Sequence, residues 1–416
     1  MINLDYSLWE KFCGNFFTIC FNWGKSASLL NTNDVLQNKN LYFLKYRVKG
    51  NFQSEILPQN FLSDGIQLFF NFFQNLLEIN ILLLVSSFFT IIFLVLFFNL
   101  FKILFKSNWN NKKLIFFLVC VFLIINLYVF KQQASSLIYF VSSIMPILII
   151  GSINKNNKLD NLIFLTISSL FIIIIFGSMR NSSYLGYVIF LLIIGIKLNY
   201  KLFPKIMFCA LTIASIFSLF IISNKVNEIK NINIKKVNQQ YPFEHTVTGN
   251  NFYFTFYTGL GFLNNNYVPG GFLDAHLYSV DMLPEKYKTE KNKINVDKYI
   301  SNKVGVTKDH MNFIKKKTFE IIINNPKLII ETIFAKIGVL LIYLLVIINY
   351  FIYEFFKNKK IKNNYKLALI GNLIAYSIFP IISIPILNYS SGFIGACFSI
   401  LIIVISKFDF KKNFNF

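Results

Sequence analysis

Residues 333–353 read IFAKIGVLLIYLLVIINYFIY, twenty-one positions with a single charge at Lys336. The hydrocarbon core of a bilayer is crossed by about 20 largely apolar residues in a helix. The helix is required because lipid offers no partner to open backbone N–H and C=O groups. A stretch this long, apolar on every face, is therefore read as a membrane span. Working outward, eight more stretches meet or approach the same description: 79–101, 113–131, 135–153, 160–176, 183–197, 203–223, 366–386 and 391–406. The composition agrees. Of 416 residues 55% are hydrophobic, 50 are Phe, and the mean hydropathy is +0.54. Charged residues make up 14%, where an average soluble domain has about 25%. A soluble enzyme, a disordered tail and a disulfide-built secreted domain are thereby excluded. The expected fold is an all-α polytopic membrane protein of about nine transmembrane helices with one large, partly helical extracytoplasmic loop.

Orientation follows from lysine in short loops, which stay on the cytoplasmic side. The connections 102–113, 154–159, 197–205 and 354–366 and the tail 407–416 hold 17 lysines, whereas the alternate connections hold Lys131 and Arg180. The C-terminus is then cytoplasmic, and an inner, plasma-membrane setting is expected. Four regions result: an N-terminal segment 1–78, extracytoplasmic or interfacial; a six-helix membrane region 79–223; an extracytoplasmic loop 224–332; and a three-helix membrane region 333–416 ending in the tail. The segment 1–78 has no basic run before an apolar core, so it does not read as a signal peptide. Its patch at 12–22 reads as a peripheral helix, and would make a tenth span if it crossed.

A net charge of +22 would suggest nucleic acid in a soluble protein. Here the charge is nearly all lysine, placed between spans, and nucleic acid is not an expected partner. The five cysteines, at 13, 20, 120, 209 and 397, are single and mostly in apolar surroundings, where packing is the default role.

The loop 224–332 is too long for a simple connection. It carries Tyr253, Phe254, Phe256, Tyr257, Phe262, Phe272 and Tyr278, which argues for a folded body. In its second half Thr307 can cap a helix over 308–324, with Met311, Ile314, Phe319, Ile322 and Ile323 gathered on one side. Asn325-Pro326 then supplies an N-cap and first-turn proline for the helix entering the next span. An amphipathic helix resting on the outer interface is the expected form.

Candidate chemistry collects in the same loop. All three histidines lie there: His245, His276 and His310. Asp274-Ala275-His276 can ligate a metal or hold a general base, but two residues do not specify a metal site, and no metal or cofactor is expected. Hydrogen-bonded loop residues are the plainer reading. The segment 256–267 reads FYTGLGFLNNNY; its glycines, Gly259 and Gly261, permit a tight turn or a close approach to a ligand. A structural turn capped by aromatics and a sugar-stacking surface through Tyr257 and Tyr267 both fit. Arg180, in the hairpin 177–183, offers a bidentate fork for phosphate at a membrane boundary, against the alternative of snorkelling to headgroups. Glu78, Lys131 and Lys336 also lie near the outer boundary, where the lysines read as snorkelling. No phosphate-binding loop, zinc-protease motif, nucleophile elbow or ladder of acids through the spans is present, which disfavours a pump, a membrane zinc protease and a proton-coupled carrier.

The stretch Met179-Arg180-Asn181-Ser182-Ser183-Tyr184-Leu185-Gly186 and the series His245, Tyr257-x-Gly259-Leu260-Gly261, Asn266-Tyr267 and Asp274 resemble patterns of the GT-C superfamily of polytopic glycosyltransferases, including bacterial protein-mannosyltransferase-like members. The resemblance covers roughly 130–345. It implies transfer on the extracytoplasmic face from a polyprenyl-phosphate sugar. Asp34 or Asp274 would be the base, with His276 beside it. Arg180, His245, Tyr257, Gly259, Gly261 and Tyr267 would hold the substrate. One departure stands out: the acidic pair such enzymes carry in the first outer loop has no counterpart in 1–78, where Asp34 is the nearest candidate. The resemblance thus leaves open an active transferase and a non-catalytic relative. Three other classes fit the same outline: a polysaccharide polymerase or ligase, a lipid or solute transporter, and a membrane assembly protein whose loop binds a membrane-protein partner.

Overall fold

The computed structural model describes residues 45–48, 51–54, 134–152, 183–197, 202–238, 252–268, 308–349, 351–359, 361–385 and 387–407, with single helical positions between 163 and 177. Spans placed at 79–101 and 113–131 lie outside these residues, as do most positions of the span at 160–176. One short antiparallel pair, β1 (Lys45–Val48) and β2 (Asn51–Ser54), belongs to the N-terminal segment, with Val48 opposite Asn51. Every other described element is a helix: α1 (Ala134–Ser152), α2 (Leu185–Lys197), α3 (Leu202–Asn238), α4 (Phe252–Leu260), α5 (Lys308–Asn324), α6 (Pro326–Ile348), α7 (Phe351–Lys357), α8 (Asn363–Ile382) and α9 (Leu387–Lys407). In α3, α6, α8 and α9 a stretch is long and apolar enough to cross a bilayer, which marks an all-α membrane protein.

The boundaries are set by local chemistry. Helix α6 starts at Pro326, as the Asn325-Pro326 pair predicts, because proline at the first position forfeits no helical hydrogen bond. Asn325 stands at its N-cap, but its side chain makes no capping bond. The helix stops at Asn349, whose φ of 39° is left-handed and whose N–H reaches the Leu345 carbonyl. Helix α3 runs on far past the span at 203–223. Its 37 residues correspond to about 55 Å at 1.5 Å each, well over a hydrocarbon core of about 30 Å. The start of the long loop, 224–238, is therefore helical.

Packing centres on α9. It lies against α1, α6, α7 and α8, and α8 in turn packs on α2. From Ile138 to Ile147 on α1, and from Ser390 to Ile405 on α9, every residue is buried. Small residues set the approach: a Cβ at Gly395 would strike the Ser143 hydroxyl, one at Gly186 or Gly392 the Tyr376 ring, and one at Gly195 the Phe208 ring. Close packing of small residues, with polar groups bonding across, replaces the hydrophobic effect between helices in lipid. The polar groups form one buried seam. Tyr376 on α8 donates to the Ser183 carbonyl at 2.6 Å, and its oxygen lies 2.8 Å from the Ser142 hydroxyl. Asn372 Nδ2 and the Ser399 hydroxyl both donate to the Ser143 carbonyl at 3.1 Å.

Helix ends meet in matching pairs. Asn364 Nδ2 donates to the Lys197 carbonyl, and Lys366 Nζ to the Phe356 carbonyl, so two lysine-bearing connections share one end of the bundle. At the other end, the C-terminus of α8 meets α6 and α4.

Candidate functional site

The aromatic and glycine segment forms the short helix α4, followed by a closed turn over 261–268. Asn265 organises that turn. Its Nδ2 donates to the Leu260 carbonyl at 3.0 Å and to the Leu263 carbonyl, while its Oδ1 accepts from the N–H groups of Tyr267 and Val268. This is how asparagine mimics a backbone turn. Gly261 N–H bonds the Thr258 carbonyl and Phe262 N–H the Gly259 carbonyl, closing the helix end.

Helix α4 packs on α5, giving the long loop a core of its own: Phe254, Tyr257, Leu260, Val268, Ile314 and Ile321. Helix α5 spans 308–324 as the sequence pattern predicts, yet its inward face is His310, Met311, Ile314, Thr318 and Ile321. Phe319 and Ile323 point outward, at 41% and 73% exposure. The stripe at spacings of three and four is what α4 covers, and the Thr318 hydroxyl sits in it by bonding back to the Ile314 carbonyl at 2.8 Å.

The α4–α5 pair joins the bundle through α6, whose Leu328 and Ile329 pack on its core, and through the end of α8, where Gly259 makes the closest approach. A Cβ there would fall on the Ile382 and Ser383 carbonyl oxygens and lie 2.9 Å from Lys336 Nζ. Lys336 does not snorkel. Its side chain is 1% exposed, and its ammonium donates to the carbonyls of Ile381 at 3.0 Å, Ile382 at 3.4 Å and Ser383 at 2.6 Å. Those carbonyls end α8, where the helix dipole is negative and acceptors lack intrahelical partners. The cation on α6 thus caps α8, and the glycine on α4 lies over the capped end.

Of the candidate substrate contacts, Tyr257, Gly259 and Gly261 are buried in this body, and Tyr267 is half exposed. The Tyr257 hydroxyl donates to the Tyr267 carbonyl at 3.3 Å, and burial pushes its phenol up to about 12. Asp34, Arg180, His245, Asp274 and His276 lie outside the described residues. Among the described residues no group of three His, Cys, Asp or Glu side chains could hold a metal ion. At Lys336 the buried cap replaces the snorkelling expected from the sequence. Its signal was there: a lone charge in an apolar span needs a partner unless it reaches water.

Compared with protein-family models, with curated proteins and with solved structures, the chain matches none.

Proposed function

We propose that the chain is a GT-C-like membrane glycosyltransferase, or a non-catalytic relative, that handles a polyprenyl-phosphate sugar on the face opposite its lysine-rich loops. The reading includes nine spans, a cytoplasmic C-terminus and a plasma-membrane setting. The observation that carries it is the folded α4–α5 body seated on the span ends at Gly259. It packs the aromatic segment against α6 and the end of α8 with the Tyr267 ring half exposed, and the chain carrying Asp274 and His276 follows directly. In the reaction, Asp274 or Asp34 takes the proton of an acceptor hydroxyl as its oxygen bonds the anomeric carbon. The bond from that carbon to the phosphate oxygen breaks, and the departing phosphate keeps the electron pair, held by Arg180. A differential contact of this kind, stronger to the leaving phosphate than to the bound donor, is what accelerates transfer.

Binding of polyprenyl phosphate and its sugar conjugates to the purified chain tests the reading, with Arg180→Ala and His276→Ala alongside. Saturable binding is expected, abolished in Arg180→Ala. Absence of binding to any polyprenyl lipid would set the reading aside in favour of an assembly partner.

A further inference from the structure

The α4–α5 pair leaves an apolar edge uncovered. On α5, Lys315, Phe319 and Ile323 follow one another at one helical turn apart and are all exposed. On α4 the exposed Phe252 stacks on Phe256 at 5.6 Å and meets Tyr253 edge-on; Tyr253 in turn touches Phe319 at 5.6 Å. Four aromatic rings therefore form one connected edge, with Lys315 Nζ 5.4 Å from the Tyr253 ring. Beyond Ile323 the chain passes Asn325-Pro326 into α6, where Ile330 and Phe334 are 55% and 68% exposed on a helix long enough to cross a bilayer.

The order along this edge is cation, aromatic, aliphatic, then span. A bilayer shows the same sequence from water inwards: phosphates, an interfacial belt that favours aromatic rings, then hydrocarbon. Lys315 to Ile323 covers about 12 Å of helix, longer than the headgroup layer of one leaflet at about 5–8 Å, so the stretch reaches from phosphate to acyl boundary on a tilted helix. We infer that this edge seats in the bilayer interface on the side where α6 enters, with Ile323 deepest, the rings of Phe319, Phe252 and Phe256 at the acyl–headgroup boundary, and Lys315 and Lys316 among the phosphates. The occupant is lipid rather than protein because the edge leads, past the exposed Lys327–Glu331 ion pair at the start of α6, which suits a headgroup layer, into the apolar flank of a helix long enough to cross a bilayer. The helix thus meets the membrane by the flank opposite its buried stripe, and it meets it tilted, because its polarity is graded along its length. The inference stands apart from the glycosyltransferase reading and does not depend on it.

The test uses the full chain with Trp9, Trp23 and Trp109 replaced by Phe, reconstituted into vesicles of phosphatidylcholine and phosphatidylglycerol, with or without acyl-brominated phosphatidylcholine. Single tryptophans are placed by Ile323→Trp, Phe319→Trp and Asn312→Trp, all at exposed positions, with Leu341→Trp on α6 as the membrane-embedded reference. The expected loss of emission to brominated lipid is strong for Ile323→Trp, approaching the reference, weaker for Phe319→Trp, and absent for Asn312→Trp. No loss at Ile323→Trp and Phe319→Trp while Leu341→Trp is quenched would overturn the inference and give the edge to water or a protein partner. Equal loss at all three would overturn the tilt and lay the helix flat. Circular dichroism of each variant confirms that the helices are intact.

Discussion

The Lys336 ammonium has three protons and meets three carbonyls, so α6 and the end of α8 are satisfied only by each other. Removing one partner of a buried charged hydrogen bond leaves the other group without its bond, at a cost of about 1–3 kcal/mol. Lys336→Met is accordingly expected to lower stability by about 2–3 kcal/mol, read as a drop in melting temperature of the detergent-solubilised chain; a wild-type melting curve would remove Lys336 as the cap. Gly259→Ala tests the same junction from the other side. Its Cβ meets backbone oxygens that cannot swing away, and overpacking of this kind costs about 1–3 kcal/mol. Gly338 is the control, since a Cβ there meets nothing within 4 Å; Gly338→Ala is expected to be neutral or to gain about 0.5–1 kcal/mol from helix propensity. Tyr257 adds a pH test. Its phenol ionises near 10.0 when unfolded and near 12 when buried, so the unfolded state gives up its proton first. The stability it contributes is complete below pH 10 and is lost as pH climbs towards 12. Proteolytic opening of the α4–α5 body should rise through that window in the wild type and less steeply in Tyr257→Phe.

At the scale of elements, hydropathy and burial part company. The apolar windows of α3, α6 and α9 have mean hydropathies of 1.9, 2.3 and 2.0, yet 22%, 17% and 89% of their residues are buried. Lipid is as apolar as leucine, so hydropathy locates a span without saying which spans touch. Small residues carry that information. On α9 Ser391, Gly395 and Ser399 recur every fourth position and face the neighbouring helices, whereas α6 offers a narrow buried stripe of Thr332, Lys336 and Leu340. Among the described residues the spans at 203–223, 333–353, 366–386 and 391–406 were thus legible from apolar length, and the helix at 308–324 from its periodicity. The central role of α9 was not, nor which side of α5 faces inward, because α4 has to be present before that side is chosen. At the candidate site Gly259 drew notice for the close approach it allows, but the sequence could not say that backbone carbonyls make that approach. Gly395→Leu is expected to force α1 from α9, seen as a lowered melting temperature. Val346→Leu, on a residue of α6 that is 76% exposed, is expected to leave it unchanged; equal effects would mean that small residues do not set this packing.

For the whole molecule, the helix that joins α1, α6, α7 and α8 is the last one described along the chain. Helix formation and helix association are separable in a membrane: each span satisfies its own backbone on insertion, and packing follows. The bundle can therefore hold its helices before α9 is present and cannot complete their packing until it is. Stopping the chain after Ile386 separates the two steps. Such a chain keeps α8, its contact with α2 and the Lys336 cap, none of which involves α9, but it uncovers α1, whose described side chains from Ile138 to Ile147 are all buried. The expected outcome in detergent is helical ellipticity reduced only by the missing residues, together with new protease cleavage in and beside α1 that the full chain resists. The α4–α5 body, with its own core, should stay protected in both. If α1 remained as protected in the shortened chain as in the full one, α9 would be an added helix rather than the centre. The seam of Ser143, Asn372, Tyr376 and Ser399 would then hold the bundle through α1 and α8 without its α9 member.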